Sequence, residues 1–144
     1  MRLNYFLFLT LFLFSCSSNR NNSSIDNVLL SYESGSCYGK CKVFKIKIKC
    51  NRSFEYEGIK NVRKIGKYNG EIVLKDFKEI EKLMSKIDVK NLDTIYTSNS
   101  TDLHLRILNL HYKKTSRKIV LLDNEPDELK QLEFKVHEIL DKTF

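Results

Sequence analysis

No apolar run in the 144 residues approaches the roughly 20 that a helix needs to cross the hydrocarbon core of a bilayer, so no permanent transmembrane span is expected. The sequence also lacks a glycine-rich phosphate loop, a serine elbow and an HExxH zinc motif, and with them the usual marks of nucleotide, acyl-transfer and zinc-hydrolase chemistry. Its histidines, His104, His111 and His137, stand at no recognised zinc spacing. No catalytic residue, metal or cofactor is therefore expected, and the chain does not read as an enzyme. No internal repeat or second linker appears after Asp26, and the one proline, Pro126, falls where a helix would start.

What is present begins with an address. Arg2 precedes an uncharged, mainly apolar run from Tyr5 to Phe14, then Ser15 and Cys16. A positive charge, about ten apolar residues and a small residue make a secretory signal, too short to stay as a span. Leu13, Phe14, Ser15 and Cys16 resemble the lipobox of bacterial lipoproteins. That resemblance implies that residues 1–15 are removed, that Cys16 is acylated, and that the acylated cysteine carries the protein on a membrane. Several acyl chains, each buried methylene contributing about 0.8 kcal/mol, make such an anchor stable.

Residues 16–26 then read as anchor and flexible tether, polar and without periodicity, spanning about 15 to 20 Å as a coil. An acidic stretch behind the cysteine marks surface export in some bacterial lipoproteins. None occurs here, which points to the outer membrane, facing the periplasm. Loss of Arg2 lowers the net charge only from +7 to +6. Nucleic acid is not a partner outside the cytoplasm; an envelope protein or glycan is the expected partner class, with anionic headgroups as an option for the basic clusters at 60–67 and 113–118.

Residues 27–144 are read as one α+β domain. The first strand is placed at Val28 to Glu33. From Val43 to Cys50 the alternation is strict: Phe44, Ile46, Ile48 and Cys50 share one face, Lys45, Lys47 and Lys49 the other. Phe54 to Ile59 continues it with Phe54 and Tyr56 opposed to Glu55 and Glu57. A loop of Asn51 to Ser53 would set Cys50 beside Phe54, Ile48 beside Tyr56 and Lys49 by Glu55, with Cys50 as a buried thiol. A short strand is expected within 61–71, and a helix over 75–87, where Phe77, Ile80, Leu83, Met84 and Ile87 form one stripe. Leu103 to Tyr112 reads as a long strand whose apolar phase changes between Ile107 and Leu108, suggesting a bulge or two buried faces. Arg117 to Leu122 is its hairpin partner across Lys113, Lys114 and Thr115. A last helix starts near Asp123 to Pro126 with Leu129, Leu132, Val136, Ile139 and Leu140 inward. The expected architecture is an antiparallel sheet of five to six strands with two helices packed on one face.

The most distinctive stretch runs Ser36, Cys37, Tyr38, Gly39, Lys40, Cys41, Lys42, Val43, Phe44. In an oxidising compartment two thiols this close read first as a disulfide, with Gly39 supplying a left-handed turn and the loop presenting Tyr38, Gly39 and Lys40 as candidate binding residues. A redox-active pair, a metal site and free thiols are the alternatives; thioredoxin-like enzymes place two residues between the cysteines at a helix start, whereas here three precede a strand. Over roughly Val28 to Leu140 the chain resembles an uncharacterised bacterial lipoprotein domain, a domain of unknown function with the pattern Cys, Phe or Tyr, Gly, any residue, Cys, Pro, any residue, Tyr or Phe. Lys42 stands where that family has proline, and the hairpin turn lacks its customary glycine. Tyr56, Glu57 and Gly58, and Thr101 with Asp102, look similar too. The resemblance implies fold and compartment only.

Asp102 and His104 could share a strand face and do acid-base work, but lack a nucleophile. Asp93, Thr94 and Ile95 resemble a short O-glycosylation motif of periplasmic proteins. The expected role is a lipid-anchored, non-enzymatic binding or accessory module of the cell envelope; the competing class is a periplasmic thiol oxidoreductase using Cys37 and Cys41.

Overall fold

Alternation in the strands decides the architecture. In the computed structural model, which describes residues 28–100 and 103–144, the elements run β1 (Val28–Ser34), β2 (Val43–Lys49), β3 (Ser53–Lys60), β4 (Gly66–Glu71), α1 (Leu74–Lys86), β5 (Ile95–Tyr96), β6 (Arg106–Tyr112), β7 (Thr115–Leu121) and α2 (Asp127–Thr143). The leader, Cys16, the tether and Asp102 lie outside the described residues. Leu30 and Tyr32 of β1, Phe44, Ile46 and Ile48 of β2, Phe54 and Tyr56 of β3, Leu108 and Leu110 of β6, and Ile119 and Leu121 of β7 are all buried on one side. Against them lie Phe77, Ile80 and Met84 of α1 and Leu129, Leu132, Val136 and Ile139 of α2. Both helices therefore cover the same face, as single-striped helices and single-faced strands must. Lys135 of α2 stitches the helices together through Asp76 and Glu79 of α1, although burial works against its charge. The hydrogen bonds to these carboxylates and to Glu138 hold Lys135 above the usual lysine range.

Among the described residues the sheet has seven strands in the order β4-β3-β2-β1-β6-β7-β5, not the expected five or six. All pairs are antiparallel except β5 with β7. The addition is β5, two residues long and so too short for periodicity to reveal. Its Ile95 lies opposite Val120 of β7.

Turn chemistry moves both hairpins from their expected registers. In β2–β3 the pairs are Ile48 with Phe54, Lys47 with Glu55 and Ile46 with Tyr56, two residues away from the expected register on the same faces. The turn is Cys50 to Arg52: the Arg52 N–H donates to Lys49 O at 3.0 Å, and Arg52 takes φ 72° where glycine is favoured. The Asn51 side chain accepts the Ser53 N–H at 3.1 Å, which closes the turn one residue early. Cys50 consequently leaves the strand and is exposed and unbridged, instead of being buried beside Phe54.

In β6–β7 the loop is only Lys113 and Lys114, both left-handed at φ 47° and 65°, so Thr115 already pairs with Tyr112. This is a type I′ geometry, for which Asn-Gly is the preferred sequence. The expected bulge in β6 is absent, since it pairs with β1 and β7 without a register shift. The phase change arises because Leu105 and Ile107 belong to the open side, while Arg106 takes a core-side position opposite Ser34. Gly58, opposite Gly66, accepts the close approach of the β3–β4 turn: a Cβ there would sit 1.9 Å from Lys64 O.

Replacing Lys113 by Asn and Lys114 by Gly together puts at the two left-handed positions the residues that adopt that conformation most readily. The expected outcome is a gain of about 1 kcal/mol, read as a higher midpoint in thermal or urea denaturation with an unchanged fold.

Candidate functional site

Three places bring polar or reactive groups together, and the first is the loop between β1 and β2. Cys37 and Cys41 are joined by a disulfide with Cα atoms 5.8 Å apart. The loop is pinned at both ends: Gly35 N–H donates to Leu105 O at 2.9 Å, Ser34 Oγ donates to Lys42 O at 2.6 Å, and Asn61 Nδ2 donates to Cys41 O at 3.1 Å. Lys42 also pairs with Asp141 of α2 at 2.8 Å. From this held base Tyr38 projects with 93% of its surface exposed, beside exposed Gly39 and Lys40. Gly39 is not left-handed, contrary to expectation; its N–H donates to Cys37 Sγ at 3.3 Å, and an added Cβ would meet nothing closer than that sulfur at 3.7 Å. The disulfide closes the ring without a left-handed residue.

The second place is the sheet face that the helices leave uncovered. It is a concave trough of about 660 Å³ between β1 and β4. Its floor is a ladder of opposite charges: Lys45 with Glu33 at 3.0 Å, Lys47 with Glu55 at 3.5 Å, Lys49 with Glu55 at 2.5 Å, and Lys67 near Glu57 at 3.9 Å. Hydrogen bonding from Lys49 holds the Glu55 carboxyl below the usual carboxylate range, and bonding to Glu33 holds Lys45 above the usual lysine range. Pairs this exposed contribute little to stability, and their effect is to keep a wide sheet face charge-matched and wet.

The third place is buried, and no motif or local spacing announces it. Arg106 of β6 donates from Nη1 to Glu125 at 2.9 Å and to Glu133 of α2 at 2.7 Å, and from Nη2 to Glu125 at 3.2 Å. Tyr32 of β1 stands beside Glu133; burial first, then the Glu133 charge, drives its hydroxyl far above the usual range. Burial also pushes the Glu133 carboxyl up to about 7 in spite of Arg106, whereas Glu125, also opposed by burial, is held low by its hydrogen bonds with Arg106 and the backbone. Among the described residues Arg106 Nε and Glu133 Oε1 are buried with no hydrogen-bond partner. The phase change in 103–112 was the available signal that a polar residue takes a core position.

The remaining candidates are held in structural contacts. His104 lies outside any acid-base arrangement among the described residues: its Nε2 is 2.9 Å from Gly35 O and 3.2 Å from Ser34 Oγ, tying the entry of β6 to the end of β1. His137 stacks edge-on against Tyr32 and Phe44, and burial followed by the Lys42 charge lowers its pKa. Thr94 is exposed. Among the described residues no three His, Cys, Asp or Glu side chains could hold a metal, and no helix is long and apolar enough to cross a membrane.

Residues 28–140 match the family described as Domain of unknown function (DUF6438). The chain belongs to that family. The match extends from β1 almost to the end of α2 and so takes in the bridged loop, the trough and the Arg106 cluster. No curated protein and no solved structure gives a significant match. Membership of DUF6438 carries no activity with it, and the role of this member has to be argued from its own surfaces.

The buried cluster makes a pH-dependent prediction. Glu133 binds its proton more tightly in the folded chain, at about 7, than at the ordinary glutamate value of 4.5, so the folded state holds the extra proton between those values. Stability from this group is therefore fully present below about 4.5 and is lost as pH rises through about 7. Melting temperatures of wild type and Glu133→Gln, compared from about pH 4.5 to about pH 8, should show the wild type falling relative to the variant. A constant difference would contradict the assignment.

Proposed function

We propose that this DUF6438 member is a lipid-anchored cell-envelope protein, held through acylated Cys16 on the outer membrane and facing the periplasm, and that it works as a non-enzymatic binding or accessory module. The observation that carries the binding role is the pinned, bridged loop with Tyr38 almost wholly exposed at its tip. Among the described residues nothing packs on that side chain, while four separate contacts hold the base beneath it. A rigid aromatic with a hydroxyl, presented at little entropic cost, suits recognition of a protein or glycan surface, and Lys40 beside it adds a charge. Recognition on a loop fixed to a rigid scaffold is a common division of labour.

A photo-crosslinking residue placed at Lys40 in the full chain, in intact cells, should give a discrete adduct that Tyr38→Ala abolishes. Because Tyr38 is so exposed, that substitution should leave the unfolding free energy within about 0.5 kcal/mol of wild type. An unchanged adduct with Tyr38→Ala, or no adduct from correctly folded protein, would overturn the reading.

The oxidoreductase alternative rests on the half-exposed cysteines of the bridge. They lie between two strands, with no helix start at either cysteine to lower a thiol pKa. A structural bridge predicts a reduction potential below about −300 mV, and a more oxidising value would favour catalysis. Cys37→Ser with Cys41→Ser should cost about 2 kcal/mol of stability on the chain-entropy estimate, measured by urea denaturation.

A further inference from the structure

The outer edge of β4 has no neighbouring strand among the described residues. Ile72 N–H donates to Arg52 O at 2.9 Å, and antiparallel partners bond at alternate residues, so Gly66, Tyr68 and Gly70 bond inward to β3. The N–H and C=O groups of Lys67, Asn69 and Glu71 consequently point away from the sheet. An open row of this kind is a template for another strand.

We propose that two copies of this chain pair edge to edge through β4, antiparallel, about a two-fold axis passing at Asn69. That register uses every outward group of both strands, about six hydrogen bonds. It sets Lys67 against Glu71 of the second copy, side chains that lie on the same open face and are both well exposed. It sets Tyr68 against Gly70, the position whose missing side chain is already covered by the Phe54 ring. Just beyond the strand ends it sets Ile65 against Val73, two apolar residues that the single copy leaves 59% and 68% exposed. Slipping by two residues would place Glu71 against Ile65, or Lys67 against Val73, so the complementarity belongs to one register.

The axis stands perpendicular to the sheet, which keeps the helices of both copies on one side and joins the two troughs on the other. Lys67, Asn69 and Gly70, at the rim of one trough, become the floor of a continuous one. Strand pairing alone buries little area, but copies confined to one membrane meet at a high effective concentration. This inference goes beyond the binding role at Tyr38 and uses none of its residues.

The test is cysteine crosslinking of the full chain in the membranes of producing cells, with Cys50→Ser removing the exposed thiol and serving as the background. Directly opposed, hydrogen-bonded residues have Cα atoms about 5.5 Å apart, within reach of a disulfide. Asn69→Cys should give a disulfide-linked dimer. Lys67→Cys alone leaves its two copies about 13 Å apart and should lose that band, which returns when Lys67→Cys and Glu71→Cys chains are mixed. Glu81→Cys, on the exposed side of α1, reports random collision. Monomer only at Asn69→Cys with an unchanged circular dichroism spectrum overturns the proposal. So do bands of equal strength at all sites, or a crosslink from Asn69→Cys to a different polypeptide.

Discussion

Burial of a single sheet face beneath two helices is the constraint from which the other features follow. Strands β1, β2, β3, β6 and β7 bury their inward residues in one core, Tyr68 of β4 and Tyr96 of β5 pack against it, and α1 and α2 close it. Since both helices are spent on one side, the other side must meet water. It does so with alternating lysine and glutamate, each charge set opposite or diagonal to its complement. A sheet face of that kind is wetted while remaining broad and accessible, which leaves the trough open.

The Arg106 cluster is the exception inside that core. A guanidinium at a core-side position of β6 would be prohibitively unfavourable alone, and two carboxylates from beyond β7 neutralise it. Glu125 precedes α2 and Glu133 lies within it, so the arrangement fixes how the helix sits on the sheet, as packing of leucines could not do as selectively. The arrangement is one cation against two acids, and burial offsets the excess by raising the Glu133 carboxyl to about 7, where it takes up a proton far more readily than an ordinary glutamate.

The bridged loop and the β4 edge share a physical logic despite the different contacts proposed for them. Each presents groups that the fold leaves unused, on a base that the fold holds still: Tyr38 above its ring of hydrogen bonds, and Lys67, Asn69 and Glu71 along a strand fully paired on its inner side. On the proposed reading these are the surfaces through which this DUF6438 member meets its partners, and among the described residues no three His, Cys, Asp or Glu side chains could hold a metal.

Periodicity by itself determined which faces of β2 and β3 are buried, where both helices lie and which residues form their stripes, because those properties depend only on spacing along the chain. The closeness of Cys37 and Cys41 likewise made their bridge legible. Tertiary structure decided the rest. A shift of two residues preserves every facing relation, so the register of β2 against β3 and the place of Cys50 were settled by Arg52 turning left-handed, not by the hydrophobic pattern. The two-residue β5 exists only because β7 accepts it. Arg106 finds Glu125 and Glu133 from 19 and 27 residues away, and no local pattern encodes a partnership across that distance.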